Sequence, residues 1–224
     1  MDAREDILGR IRARLGRTAE NAAAGRARLE EALARRAQGP RPPLPAELLA
    51  RFRERAEAQS STVDIVERLD EAPAAVARYL AALGLPRRAA AWPELAGLDW
   101  AGAGLDWAGA GLEVEGRAAR GDDLVGITGA FCAVAETGSL AVCSGAATPA
   151  VNSLLPETHV AVVAASRIVG GMEEAWALLR AASPQLPRAV NFISGPSRTG
   201  DIEQTLVLGA HGPYRVHIVV VRQA

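Results

Sequence analysis

The sequence predicts an α/β protein with a largely parallel or mixed sheet covered by helices. Short apolar runs rich in β-branched residues, typical of buried strands, occur at residues 62–66, 160–165 and 214–221. Segments with apolar residues at every third or fourth position, typical of amphipathic helices, separate these runs. Strands that alternate with helices in this way indicate a sheet with helices on both faces.

The chain divides into two predicted parts, a helical N-terminal extension at residues 1–60 and an α/β domain at residues 61–224. A proline-rich linker at residues 39–45 interrupts the extension. Before the linker, an arginine-rich helix carries an apolar stripe formed by Ile7, Ile11 and Leu15, and it contains two glycines at which it could divide, Gly16 and Gly25. We expect the stripe to pack on the chain itself or on a partner, because it lacks the aromatic anchors of a membrane-surface helix.

The predicted elements of the α/β domain follow from apolar periodicity and from glycine and proline signals. The predicted strands are residues 62–66, 89–92, two strands within 124–144, 160–165, 189–193 and 214–221. The predicted helices are residues 70–83, a short helix or turn at 149–155, and 172–182. An identical duplication at residues 97–103 and 104–110 predicts an irregular loop, because its glycines disfavour helix. Trp100 and Trp107 in this loop are expected to be partly covered surface aromatics or to stack on a ligand.

Composition excludes several classes of function. The net charge is −1 and all 25 basic residues are arginine, so we expect no nucleic-acid partner, no Schiff-base lysine and no P-loop. No apolar run is long enough for a membrane span, and the charged N-terminus lacks the apolar core of a signal peptide, so we expect a cytoplasmic protein. Cys132 and Cys143 cannot supply four thiolates to an iron–sulfur cluster, so we expect no cofactor on this chain.

The strongest binding motif is the segment 194–203. We predict a strand, a Gly-Pro loop and then a helix N-terminus, whose free N–H groups and dipole favour an anion. Arg198 adds a permanent cation, although a plain structural turn with a solvent-facing arginine remains the alternative. The candidate ligand-binding residues in this segment are Gly195, Ser197, Arg198, Thr199 and Asp201.

Three further residues are candidates for catalysis, namely Glu136, His159 and His211. Glu136 is the only charged residue between Asp123 and Glu157, and it ends an apolar strand beside a turn whose candidate ligand-binding residues are Thr137, Gly138 and Ser139. Turn N–H groups could equally satisfy this carboxylate. The two histidines fall at strand–loop junctions, where α/β folds usually place ligands, whereas His217 is expected to pack or to face an edge. The spacing of His159, His211 and Glu136 or Glu157 matches no standard metal motif, so we predict no metal site.

Five motifs in order carry a resemblance to a known family. They are residues 126–128 (GIT), 135–139 (AETGS), 155–159 (LPETH), 194–203 (SGPSRTGDIE) and 209–213 (GAHGP). The set resembles the LUD-domain family, in its lactate-utilization subgroup, with Gly200 where alanine is more usual and the tryptophan duplication as an insertion. The resemblance implies a fold like the ribose-5-phosphate isomerase and CoA-transferase superfamily. It also implies a cluster-free role in oxidising L-lactate to pyruvate beside two iron–sulfur partner proteins.

Two other functions stay open at this point. One is a stand-alone enzyme on phosphosugar or CoA-type substrates that uses Glu136 as base or nucleophile. The other is a module that senses a small organic acid and docks on partners through its N-terminal helices. The sequence does not decide whether the chain is itself an enzyme, and it leaves the oligomeric state open, a homo-oligomer included.

Overall fold

The computed structural model describes residues 2–96, 105–183, 185–202 and 205–223. The chain forms two compact units, Met1–Pro42 and Pro43–Ala224. Among the described residues, no helix has both the length and the apolar character needed to cross a membrane.

The first unit consists of two helices, α1 (Ala3–Arg14) and α2 (Ala19–Arg35). They are separated at Gly16, whose φ of 59° ends α1, and Thr18 then caps α2 by accepting a hydrogen bond from the N–H of Asn21. Gly25, in contrast, lies within continuous helix. The apolar side chains of the predicted stripe are exposed, as are Leu29 and Leu33.

The second unit contains the helices α3 (Leu48–Ala58), α4 (Ala72–Ala82), α5 (Pro93–Ala96) and α6 (Met172–Ala182). Its strands are β1 (Thr62–Arg68), β2 (Arg88–Ala91), β3 (Glu113–Gly116), β4 (Val125–Gly129), β5 (Cys132–Val134), β6 (Ser139–Cys143), β7 (Thr158–Ala164), β8 (Ile168–Val169), β9 (Val190–Ile193), β10 (Arg198–Ile202), β11 (Thr205–Leu208) and β12 (Arg215–Gln223). The helix α3 therefore lies in this unit, although the sequence grouped residues 46–60 with the extension.

The main sheet has six strands in the order β1-β12-β7-β4-β2-β3, and all of its pairs are parallel. Its central strands are buried on both faces, which explains their near-continuous apolar sequences. Val160 in β7, for example, lies between Ile127 in β4 and His217 in β12. The predicted fold class, an α/β fold with a largely parallel central sheet, is confirmed.

A second sheet, in the order β8-β5-β6-β9, was not predicted as a separate layer. One of its faces joins the main core through Ala133, Leu140 and Val142. The other face packs on α6, where Trp176 lies 5.5 Å from Phe192 between ring centroids. Successive side chains of a strand point to opposite faces, and in this sheet both sets of side chains are apolar, so each face packs against a hydrophobic layer.

The segment after the Gly-Pro loop is a hairpin and not a helix, so the predicted helix N-terminus is wrong. The strands β10 and β11 pair antiparallel, with Thr199 opposite Val207. β-branched residues such as these pack well on a pleated surface, and Gly200 weakens any helix at this point. The argument for anion binding from a helix dipole is therefore lost at this loop.

The duplication is described only in part, because residues 97–104, which include Trp100, lie outside the described residues. In the second copy Trp107 is buried, and its indole N–H donates to the carbonyl of Leu95 at 2.9 Å. Leu105 is buried as well. The second copy thus contributes to the core of the unit, and Trp107 does not offer a face to a ligand.

Candidate functional site

The predicted binding residues of two turns meet the C-terminal end of α3. Gly138 and Gly195 have φ values of 71° and 79°. A Cβ atom at Gly138 would lie 2.4 Å from the amide nitrogen of Ala56, and one at Gly195 would lie 2.1 Å from the carbonyl oxygen of Gln59. The close approach of both turns to α3 therefore explains these two glycines without a ligand.

Hydroxyl groups tie the same turns together. The Oγ1 atom of Thr137 lies 2.7 Å from the Oγ atom of Ser139, which lies 2.6 Å from the Oγ atom of Ser194. The N–H of Ser197 donates to the carbonyl of Pro213 at 2.9 Å, and the Oγ atom of Ser197 accepts from the N–H of His211 at 3.4 Å. The structure thus brings the 137–139 turn, the 194–198 loop and the 209–213 loop together.

As far as the structure describes them, the charged residues of the predicted site form no ion pair with one another. Arg198 is exposed and donates to the hydroxyl of Ser60, while Thr199 pairs within the hairpin. The side chain of Asp201 lies outside the described part of the chain. Glu136 is half-buried, its N–H donates to the carbonyl of Gly170 at 3.0 Å, and no described residue pairs with its carboxylate.

The two histidine candidates occupy different environments. His159 is fully buried in β7, with its Nε2 atom 2.7 Å from the Oγ1 atom of Thr128, and burial lowers its pKa to about 4. His211 is exposed on a loop. No hydrogen bond or ion pair among the described residues joins any two of His159, His211 and Glu136, and no group of three potential metal ligands is found among them.

His217 is buried in the central strand β12 and stacks on Tyr79. The ring centroids are 3.8 Å apart, with an angle of 6° between the planes. Its Nδ1 atom lies 2.8 Å from the Oγ1 atom of Thr62. Burial lowers the pKa of His217 to about 4, although the Asp64 carboxylate acts in the opposite direction.

A cleft that the sequence did not reveal lies at the carboxyl ends of β2, β4 and β7. This cleft has a volume of about 340 Å³. Its lining residues are Trp92, Glu94, Gly129, Ala130, Phe131, Cys143, Ser144, Thr148, Ala164 and Arg167. The carboxyl ends of parallel strands are the usual place for ligands in open α/β sheets, and the mixture of apolar walls with a few polar groups suits a small molecule.

Arg167 is the cation of this cleft. Its Nε–H donates to the carbonyl of Phe131 at 2.8 Å, and its guanidinium carbon lies 4.5 Å from the centroid of the Phe131 ring. These contacts fix the plane of the guanidinium group. The two terminal nitrogens have no hydrogen-bond or ion-pair partner among the described residues, so they are available to a bound carboxylate.

Other polar groups complete the cleft. The Oγ atom of Ser144 accepts from the N–H of Ala189 at 2.8 Å, which leaves its O–H free to donate. Trp92 presents an apolar wall because its indole N–H already donates to the carbonyl of Pro149 at 3.0 Å. Glu94 is exposed at the rim, where partial desolvation raises its pKa, and it forms no ion pair with Arg167.

The sequence held a weak signal for this cleft. Arg167 is the first charged residue after the predicted strand 160–165, and Glu94 is the first after the predicted strand 89–92. Only the strand order β7-β4-β2 shows that these two strand ends flank the end of β4. The arrangement can bind a small monoanion, with its carboxylate on Arg167 and its apolar part against Trp92 and Phe131.

Comparison with known proteins adds the family and the fold. The sequence profile of the LUD domain matches residues 49–221. Proteins named lactate utilization protein C are similar to this chain over about 100 residues. The one from Geobacillus sp. (strain WCH70) is 39% identical, and the one from Bacillus subtilis (strain 168) is 38% identical. Each match covers 43% of this chain and 42% of the relative. The match thus spans less than half the length of these relatives.

A crystal structure of a DUF162 family protein from Deinococcus radiodurans has a similar fold. Its TM-score is 0.54 at 24% sequence identity, and the match covers 80% of this chain and 99% of that protein. At this identity the likeness shows the fold alone. The structural match extends over more of the chain than the individual relatives do.

Proposed function

The chain belongs to the LUD domain family, and from this premise we propose that it serves lactate utilization by binding a small organic monocarboxylate. The proposal draws its pathway from the names of the similar proteins. It draws its ligand class from the cleft at the carboxyl ends of the main sheet. We further propose that the fold is related to the ribose-5-phosphate isomerase and CoA-transferase superfamily.

One observation carries the binding site. Within the described residues, the terminal nitrogens of Arg167 are unpaired in a concave, largely apolar cleft. A guanidinium held in this way donates two parallel charge-assisted hydrogen bonds to a carboxylate, each worth about 1.5–3 kcal/mol net. Glu94 at the rim repels a second negative group, so the cleft favours a monocarboxylate over a dicarboxylate.

We propose that the chain acts as a cluster-free subunit of a larger lactate-oxidising system. Oxidation of lactate to pyruvate releases two electrons and two protons, so an electron acceptor is required. The only two cysteines, Cys132 and Cys143, are free thiols in the structure, and they are too few for a four-thiolate cluster. The family resemblance implies two iron–sulfur partner proteins, and we propose that they carry the clusters and that the system lies in the cytoplasm.

Equilibrium titration of the full chain with L-lactate and with pyruvate tests the binding site. We expect Arg167→Ala to weaken binding of both acids by at least tenfold, because it removes the charge-assisted hydrogen bonds to the carboxylate. A tenfold loss of affinity corresponds to about 1.4 kcal/mol. Arg198→Ala is the matched control, since it removes an exposed arginine whose one side-chain hydrogen bond among the described residues goes to the Ser60 hydroxyl. We expect its affinity to stay within twofold of that of the unmodified chain.

The opposite pattern would contradict this assignment. If Arg198→Ala abolishes binding while Arg167→Ala does not, the 194–203 loop is the anion site. Co-purification with cluster-bearing proteins, followed by lactate-dependent reduction, tests the role in a complex. Full activity of a reconstituted system that lacks this chain would refute that role.

A further inference from the structure

We infer that the second unit holds another binding site, for an uncharged ligand with several hydroxyl groups, at the amino ends of β1 and β12. This site lies at the opposite end of the main sheet from the Arg167 cleft. It is a cavity of about 550 Å³ beside the end of α3 and the face of α4. The residues that carry the argument are Ser61, Asp64, Arg78, Tyr79 and His217.

Two deeply buried polar atoms of this cavity lack a partner. The side-chain oxygen of Ser61 and the Nε2 atom of His217 have no hydrogen-bond partner among the described residues, and these residues are only 5% and 1% exposed. A buried polar group left unpaired costs about 1–3 kcal/mol. Both residues line the cavity, so a bound molecule that reaches these two atoms would recover that free energy.

The imidazole of His217 is held rigidly beside the cavity, and its Nδ1 atom is already engaged. Tyr79 stacks on its ring, and Thr62 contacts its Nδ1 atom at 2.8 Å. The Thr62 hydroxyl can either donate to Nδ1 or accept from it, so Nε2 is a donor in one tautomer and an acceptor in the other. A ligand hydroxyl pairs with Nε2 in both cases, because a hydroxyl donates and accepts.

The charges around the cavity favour an uncharged ligand. The Oδ2 atom of Asp64 lies 4.0 Å from Nε2 of His217 and 3.9 Å from a terminal nitrogen of Arg78. The first distance is too long for a direct hydrogen bond, but one oxygen can lie within hydrogen-bond reach of both atoms. The carboxylate and the guanidinium balance each other beside this position, and the other lining carboxylate, that of Glu57, is paired with Arg53 at 2.8 Å. Neither a bare anion nor a bare cation is therefore favoured.

A ligand with more than one hydroxyl can serve both unpaired atoms. One hydroxyl would bridge His217 and Asp64, and another would reach the Ser61 oxygen. Polyols and sugars present hydroxyls on adjacent carbons, whereas a simple monocarboxylate has only acceptor oxygens at its charged end. The ligand class of this site is therefore distinct from that of the Arg167 cleft.

NMR titration of the full chain with glycerol tests the inference, with the ring nitrogens of His217 as the reporter. We expect a saturable shift of the His217 signals and no comparable shift with acetate. Ser61→Ala and Asp64→Ala should each weaken glycerol binding by at least fivefold. Arg167→Ala should leave it unchanged, because that arginine belongs to the other end of the sheet.

The inference is overturned if glycerol causes no saturable shift, since water alone would then satisfy the two atoms. Equal shifts in the unmodified chain and in both variants would overturn it as well. Thermal unfolding of each variant shows whether it is folded, and the comparison of glycerol with acetate on the unmodified chain needs no substitution. A chain that does not bind glycerol could still bind lactate at Arg167, so this result would not contradict the proposed function.

Discussion

At the scale of single residues, two buried histidines make the stability of the protein sensitive to pH. Burial lowers the pKa of both His159 and His217 from 6.5 to about 4. The unfolded chain therefore binds more protons than the folded chain between these values. The stabilising effect of the neutral rings is fully present above pH 6.5 and is lost as the pH falls towards 4.

This difference gives a measurable loss. Between pH 7 and pH 5 we expect each histidine to remove about 2 kcal/mol from the free energy of unfolding. Urea unfolding at the two pH values measures the change. His211→Gln is the control, because His211 is exposed and its removal should leave the pH dependence unaltered. A free energy of unfolding that stays constant from pH 7 to pH 5 would contradict this assignment.

Two glycines of the predicted binding motifs are explained by backbone packing. Both Gly138 and Gly195 combine a positive φ with backbone atoms of α3 at less than 2.5 Å from a would-be Cβ. We expect Gly138→Ala to destabilise the fold by about 2 kcal/mol or more, because the turn must move away from α3. Denaturant unfolding measures this loss.

Gly200→Ala is the control for that substitution. Gly200 lies in β10 without a positive φ, and within the described part of the chain no atom lies within 4 Å of a would-be Cβ. Its free energy of unfolding should stay within about 0.5 kcal/mol of that of the unmodified chain. If Gly138→Ala proved equally mild and instead abolished ligand binding, the turn would act in recognition and not in packing.

At the scale of elements, the periodic helices were predictable, and the hairpin after the Gly-Pro loop was not. The predicted helix 172–182 has the same bounds as α6, since its apolar period is clear and Gly170-Gly171 precede it. The 194–203 segment failed because Gly-Pro followed by polar residues is compatible with a helix start or a strand. Pairing with residues 205–208 makes residues 198–202 a strand, and the pattern of the 194–203 segment alone does not include those partners.

The candidate site was predictable only as a region. Fold class places ligands at the carboxyl ends of the parallel strands, and the cleft lies there. His159 lies at the amino end of β7, away from that edge, and is fully buried there, so its catalytic role stays a prediction. Arg167 emerged from the strand order, which is a tertiary property that no single segment of sequence carries.

At the scale of the whole molecule, the second unit has a core of its own and should fold alone. Its two sheets share one hydrophobic core that includes Phe52 and Ala56 of α3. We expect a chain of residues 43–224 to unfold cooperatively, with a free energy of unfolding within about 1 kcal/mol of that of the same transition in the full chain. Its lactate affinity should stay within twofold.

A second truncated chain tests the domain boundary that the sequence predicted, between residues 60 and 61. A chain of residues 61–224 removes α3, and with it a fully buried phenylalanine, which should cost at least 3 kcal/mol. Circular dichroism and denaturant unfolding of the two truncated chains distinguish these boundaries. Equal stability of both chains would show that α3 is dispensable to the unit.

The central claim is that a small monocarboxylate binds at Arg167, and a crystal structure of the chain soaked with L-lactate tests it most directly. The claim predicts a lactate carboxylate within hydrogen-bond distance of both terminal nitrogens of Arg167, with the methyl group towards Trp92 or Phe131. Lactate density over Ser197 and Arg198, with the Arg167 cleft occupied by water alone, would contradict it.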